Sequence, residues 1–273
     1  MLKYSSVKHR RKWLAVAAIP LILVIILALI FLKFMNPIFS FDSTKVPSIT
    51  DNPVQLDQIF AISYFRSNAG HDYSYGAWDG ETCRSMKHYF NFSQSQQNGR
   101  PLRSTPGPGE SNINIYAPFD GKIIANRSEH TPIGTQVHIA SNQNLSYYVR
   151  LFHIDLLPSL KVGDKVKSGQ LVGTIGPKDG MDVSYEANYK FGKVVYLSIF
   201  DRMTTRAFAP YAKLGFRPGD FVLSRQGADA KGYQCNGEQF VNNGQGVDAR
   251  GIPYGYIPLR PNPYAGLYQQ QGR

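Results

Sequence analysis

Cysteine, charge and helical periodicity are the scarce ingredients of this sequence. Charged residues make up 18% of the 273 positions and hydrophobic ones 42%, which excludes the low-hydrophobicity, high-charge regime of intrinsic disorder. No long amphipathic helix and no sustained heptad pattern run through the body of the chain, so a coiled coil is excluded there. No stripe of interleaved basic and aromatic residues is present, which argues against nucleic acid as a partner.

The sharpest absence is local. Trp13 to Leu32 carry no charge at all, and about 20 apolar residues rising 1.5 Å each match a hydrocarbon core of about 30 Å. Pro20 is tolerable in such a helix. Lys3, Lys8, Arg10, Arg11 and Lys12 precede the run and only Lys33 follows closely, so the positive-inside bias places the N-terminus in the cytoplasm. The run lacks a small-x-small cleavage site after Leu32, which favours an anchor over a cleaved signal peptide. The expected organisation is a cytoplasmic basic segment (1–12), a transmembrane helix (13–33), a stalk or packing arm (34–54), a β domain (55–225) and a loop-rich C-terminal extension (226–273). Residues 1–33 supply six of the positive charges and no acid, so the formal net charge of +11 falls to +5 for the rest. That modest excess fits an anionic wall polymer, a lipid surface or an ordinary solvated domain.

Beyond the anchor the pattern is of strands. Ile59 to Phe65, Ile113 to Tyr116, Lys122 to Ala125, Thr135 to Ile139, Tyr147 to Phe152, Leu171 to Ile175 and Val194 to Phe200 are short β-branched or aromatic runs. Asp120-Gly121 joins two of them as a type I′ hairpin would, and Gly163-Asp164 and Ser168-Gly169 punctuate the next pair. Between the first two runs, residues 74–112 are rich in Gly, Ser, Gln and Pro and read as one long inserted loop, uncommon unless functional or pinned. The two cysteines, Cys83 and Cys235, lie beyond the membrane segment, where an oxidising compartment would let them pair and pin that loop. Cys83 with His88 as nucleophile and base is the weaker reading, because nothing else marks a catalytic cysteine. Asn-x-Ser sequons begin at Asn91, Asn126 and Asn144 and matter only in a glycosylating compartment.

Three segments carry a resemblance: Tyr116-Ala-Pro-Phe-Asp-Gly-Lys-Ile, then Tyr148-Val-Arg-Leu-Phe-His153, then the Gly- and Val-rich run from Val162 to Gly176. In order and spacing they resemble the core of the lysostaphin/LytM-type zinc metalloendopeptidases, peptidoglycan hydrolases of duplicated-hybrid-motif fold. The resemblance implies a mainly β chain, an antiparallel β-sandwich with long loop insertions. It also implies a zinc ion held by a His-x-x-x-Asp segment and a later His-x-His strand. Laid on the segment from Arg66 to Asp72, the first motif leaves Asp72 as the one matching ligand, with Asn68 in place of the ligand His. Laid on Tyr196-Leu-Ser198, the second puts Ser198 in place of a zinc ligand and Tyr196 in place of an assisting histidine. His153 matches the other assisting histidine. A catalytic zinc needs about three protein ligands and an open position, so a degenerate, inactive member without a cofactor is expected.

Zinc would return only if His71, His88 and His138 joined Asp72 and His153 in a rebuilt site. Each has a bland alternative, such as His138 packing between Val137 and Ile139. Arg66 and Arg84 are either anion-binding groups of the old cleft or loop anchors. The function expected is a tethered module that binds a cell-wall glycopeptide, another saccharide or an extracytoplasmic protein. Its rivals are an active zinc peptidoglycan endopeptidase and a lipoyl-like adaptor with Lys165 in the modified turn.

Overall fold

A computed structural model describes residues 23–27, 43–92, 96–97, 100–101, 113–129, 134–175, 180–189, 192–241 and 254–259. The chain divides into two compact units, residues 1–45 and 46–273. In the first, residues 23–27 are helical and Leu23, Val24, Ile25, Ile26 and Leu27 are all exposed. Among the described residues no helix is long and apolar enough to cross a membrane. The basic segment 1–12, most of the apolar run 13–33, the part of the inserted loop at 102–112 and the tail at 260–273 lie outside the described residues.

The second unit is built on antiparallel strands. In chain order these are β1 (Ile59–Ser63), β2 (His88–Phe92), the short pair β3 (Gln96–Gln97) and β4 (Arg100–Pro101), β5 (Asn114–Tyr116), β6 (Gly121–Ser128) and β7 (Thr135–Ser141). There follow β8 (Tyr147–Leu156), β9 (Lys165–Val166), β10 (Leu171–Ile175), β11 (Gly180–Asn188) and β12 (Val194–Leu197). The C-terminal region adds the ribbon β13 (Cys235–Asn236) and β14 (Gln239–Phe240) and the single strand β15 (Tyr256–Pro258). Eleven strands hydrogen-bond into one sheet in the order β15-β1-β2-β11-β8-β7-β6-β9, with β10 bridging β8 to β5 and β12 pairing with β11.

The long strands β8 and β11 are central and largely buried, with apolar residues on one face and polar ones on the other. Val149, Leu151, Val183 and Tyr185 point to one side with Val137 and Ile139 of β7, all fully buried. This apolar side is the core. The arm before β1 packs onto the same unit: Ile49 and Val54 are buried, and they bridge to Met203 and Ile115. Helix Thr205–Ala212, capped by the Thr204 hydroxyl, adds Phe208 and Tyr211 to an aromatic cluster with Phe200 and Phe221.

Three features depart from the reading of the sequence, the first being the central strand β11 (Gly180–Asn188), which was not among the expected runs. Residues 74–112 are not one loop, because His88–Phe92 forms an interior strand between β1 and β11. The five-residue run His-Tyr-Phe-Asn-Phe is flanked by turn chemistry on both sides and so does not stand out. Asp120-Gly121 is not a hairpin turn either, since β5 pairs with β10 while β6 pairs with β7 and β9. Gly121 is required there by close approach: a Cβ would lie 2.5 Å from the Ala140 carbonyl oxygen. Asp120 turns outward and accepts from the Ser168 amide at 2.9 Å and the Lys167 ammonium at 3.0 Å. The pairing of Cys83 with Cys235 is present, joining positions 152 residues apart.

Candidate functional site

Opposite the apolar core, the same strands present polar side chains under a cover. Cross-strand pairs place His138, Arg150 and Ser184 in one row, Tyr148 and Glu186 in the next, and Phe152 and Asp182 in a third, because directly opposed residues share a face. Strand β2 pairs Tyr89 with Asp182 and Asn91 with Gly180, so Tyr89 and Asn91 join this face and Lys87, at the start of the strand, follows them. A register shift between β7 and β8 sets three steps of β8, Leu151 to Ile154, against two of β7. His153 sits in this bulge with φ 60°. Bulges re-aim side chains, and here the extra residue turns His153 toward Asp182, with Nε2 3.5 Å from Oδ2.

The segment from Tyr64 to Lys87 forms the cover. Gly70, with φ +67°, passes so close to the Tyr89 ring that a Cβ would lie 2.1 Å from it, which only glycine permits. Asp72 organises the turn: its Oδ1 accepts from the amides of Ser74 and Arg84, each at 3.0 Å, and from the Ser74 hydroxyl. Arg66 and Arg84 both pair with the buried carboxylate of Glu81, and Arg84 also reaches Asp229 at 2.7 Å. The disulfide closes the far end of the loop onto the C-terminal ribbon.

At the centre lies Lys87, 2% exposed. Its ammonium donates to Asp182 Oδ2 at 2.8 Å and to His71 Nε2 at 3.1 Å. The rings of Phe152, Tyr73 and Tyr89 surround it, with centroids 4.4, 4.7 and 4.8 Å away, a cation held by ring faces. With Nε2 accepting, the His71 ring is neutral and its Nδ1–H donates to the Asp72 carbonyl at 2.9 Å. Burial and the neighbouring ammonium both lower the His71 pKa. Burial works to raise the Asp182 carboxyl, but Lys87 and His153 outweigh it and its pKa is lowered. Burial likewise pulls His153 down, yet Asp182 and Glu129 prevail and its pKa is raised. Glu129 Oε2 takes the His153 Nδ1 proton bond at 2.7 Å.

Two rows away a second buried acid is satisfied in the same manner. Glu186 accepts from Tyr73 and Tyr148 hydroxyls at 2.7 Å each, from Arg150 at 2.9 Å and from the Ser184 hydroxyl. Burial and Glu186 push the Tyr148 phenol up to about 12. Tyr73 thus contacts both acids' neighbourhoods, and its ring also meets Tyr196 edge-on at 5.6 Å.

The residues singled out from the sequence do not converge. Only His71 and His153 reach the Lys87–Asp182 pair. His88 points to the apolar side, donating or accepting at Ser63 O and Ser198 Oγ, both 2.9 Å away, and burial lowers its pKa to about 4. Ser198 is therefore a partner of His88 in the core, and Tyr196 bonds the Tyr75 carbonyl at 2.9 Å. His138 stacks on Tyr148 at 5.5 Å, with Nε2 buried and unpartnered. Asp72, Arg66 and Arg84 are loop anchors, and Asn68 is buried at the wall of a cavity shared with Tyr64. The expected placement of the His-x-His motif on Tyr196-Leu-Ser198 is corrected by β11: Asp182, not Tyr196, stands beside His153.

Sequence reasoning missed Lys87, Glu129, Asp182, Ser184 and Glu186. The signal was spacing alone. Lys87-x-x-x-Asn91 and Asp182-x-Ser184 repeat the intervals of His-x-x-x-Asp and His-x-His on facing strands, with no histidine at any of the four positions.

Zinc binds to lone pairs of His, Cys, Asp or Glu. Among the described residues no group of three or more of these could hold a metal ion. Of the two acids beside His153, Asp182 already carries the Lys87 ammonium and Glu129 is bonded to His153 Nδ1, so the donor set does not fit zinc.

Residues 107–199 match the model of Peptidase family M23. Solved structures similar to this chain include lysostaphin in solution, at 18% identity over 49% of this chain and 51% of that one, TM-score 0.30. The catalytic domain of lysostaphin from Staphylococcus simulans is 16% identical over 56% of this chain and 92% of that one, TM-score 0.32. A putative glycyl-glycine endopeptidase from Ruminococcus gnavus is 16% identical over 56% of this chain and 58% of that one, TM-score 0.34. The chain thus spans about half the length of the whole lysostaphin. No curated protein matches the sequence. The match to the family M23 model is confined to the segment 107–199, which holds strands β5 to β12.

Proposed function

We propose that this chain is a membrane-anchored, extracytoplasmic M23-type domain without peptidase activity, which binds a cell-wall glycopeptide, another saccharide or a protein partner. The observation that carries the reading is the Lys87–Asp182 pair beside His153. Peptidase chemistry of this family's kind uses a bound cation to lower the pKa of water to about 7. A buried ammonium has no open coordination position, so it holds Asp182 and His153 in place but cannot present hydroxide to a peptide bond. The lysostaphin-type sandwich then serves as a scaffold. The uncharged run at 13–32 and the basic residues before it support the anchor and its orientation. The disulfide supports an oxidising compartment.

The test is zinc stoichiometry of the full chain in detergent, after mild zinc loading and removal of free metal. Far less than one zinc per chain is expected. Near one zinc per chain, lost in Asp72→Ala or Asp182→Ala, would restore the active endopeptidase reading.

A further inference from the structure

With the old centre filled by protein groups, a binding module needs its ligand site elsewhere. A cavity of about 570 Å³ is lined by Tyr64, Asn68, Leu223, Lys231, Tyr233, Tyr254 and Gly255, a size usual for small-ligand sites, which run from about 300 to 1,000 Å³. Its walls come from four separate stretches of chain, and each is tied down. Tyr64 donates its amide to the Gly255 carbonyl at 2.9 Å, and Leu223 donates to Phe65 at 3.1 Å. The Arg84–Asp229 ion pair holds the helix that precedes Lys231. The disulfide at Cys235 fixes the ribbon that follows Tyr233. A cavity braced from all sides needs little ordering when a ligand enters, which is where affinity is otherwise lost.

We infer that this tyrosine-lined cavity binds an acidic saccharide. Three phenol rings give flat apolar faces, which suit the C–H faces of pyranose rings, and the hydroxyl tips of Tyr233 and Tyr254 can bond sugar hydroxyls. Asn68 adds a carboxamide, with both donor and acceptor atoms. Lys231 supplies the charge: among the described residues its ammonium has no carboxylate partner, unlike Lys87 or either arginine of the covering loop. A single cation suits a carboxylate better than the clustered phosphates of a nucleotide. One aliphatic side chain, Leu223, is too little for a lipid tail. The excess of positive charge on the extracytoplasmic part draws an anionic polymer toward it.

This inference rests on the reading of the chain as a binding module, yet it fails separately from it. The full chain in detergent would be titrated calorimetrically with two acidic oligosaccharides, tetragalacturonate and a muramic-acid-containing tetrasaccharide. Their neutral counterparts, the methyl ester and chitotetraose, serve as controls. Saturable binding to at least one acidic probe, at least tenfold weaker in Tyr233→Ala and in Tyr254→Ala, is expected. Lys231→Gln should reduce the acidic probe to the affinity of its neutral counterpart. Tyr196→Ala, in the old cleft, should leave all affinities unchanged. No binding of either acidic probe, binding indifferent to Tyr254→Ala and Lys231→Gln, or binding abolished by Tyr196→Ala would each overturn the cavity site. The zinc measurement alone decides the inactive reading.

Discussion

Two polar regions of this molecule treat their groups in opposite ways. Beneath the covering loop, every charge of the Lys87–Asp182–His153–Glu129 chain meets another charge of the same protein. In the tyrosine-lined cavity, Lys231 and Tyr254 are exposed. A buried charge is tolerated only when paired and hydrogen-bonded, so the first region is consumed by its own structure. The second keeps its bonding capacity for something else. The proposal of a ligand site in the second region therefore does not depend on the chemistry of the first.

The strongest way to break this contrast is Lys87→Met. Removing one member of a buried pair strands the other, at a cost of about 3–5 kcal/mol, and Asp182 here is 4% exposed. Chemical denaturation of the full chain should show a loss of that size. Adding Asp182→Leu should recover most of it, because replacing both charges removes the stranded one. A loss under about 1 kcal/mol in the single variant would mean that the ammonium is not the centre's organising charge.

Second in size is reduction of the disulfide between Cys83 and Cys235. Closing so long a loop stabilises by about 2–4 kcal/mol. The bond also braces the cavity from behind Tyr233, so Cys83→Ser with Cys235→Ser should weaken saccharide binding while the Lys87 centre stays folded. Unchanged affinity in that double variant would show that the walls are held without it.

How much of this was legible beforehand differs between the two regions in the same way. Most strands from Asn114 onward were readable, since β-branched runs such as Leu171–Ile175 fall between turn residues, but the central strand β11, whose polar and apolar residues alternate, was not. Strand β2 was not, because five residues with two polar side chains do not rise above a loop-rich surrounding. The centre was misplaced for a related reason. Asp72 was read as the one matching ligand, but its acid is spent on the turn around Ser74 and Arg84. Lys87 and Asp182 carry no histidine to announce them, and only the pairing of β2 with β11 brings them together. The tyrosine cavity was wholly hidden, since Tyr64, Lys231 and Tyr254 belong to segments whose proximity is a matter of tertiary structure.

A smaller effect separates the core from solvent by pH. Burial lowers His88 to about 4 and, with Arg150 and Arg127 adding, His138 to about 3. A histidine with a depressed folded pKa contributes stability that is present above its unfolded value, about 6.5, and is lost as pH falls toward the folded one. His153 acts in the opposite sense, since its pKa is raised: its contribution is present at low pH and lost as pH rises through the folded value. The difference between variants isolates one term. Between pH 7 and 5.5, His138→Phe should lose about 1 kcal/mol less stability than the parent. Equal losses would mean that His138 is already solvated enough to charge in the folded state.

The smallest effect expected is the one that most sharpens the contrast. Tyr254 is 51% exposed, and Lys231 holds no ion pair among the described residues. Substitutions away from packed or paired groups usually change stability by less than about 0.5 kcal/mol. Tyr254→Ala and Lys231→Gln should therefore unfold at the parent's denaturant midpoint while losing saccharide affinity, the reverse of Lys87→Met. A group whose removal costs binding and not stability is one the fold does not use for itself. If either cavity variant lost as much stability as Lys87→Met, the cavity would be a packing defect of the C-terminal region, and the two regions would differ in degree alone.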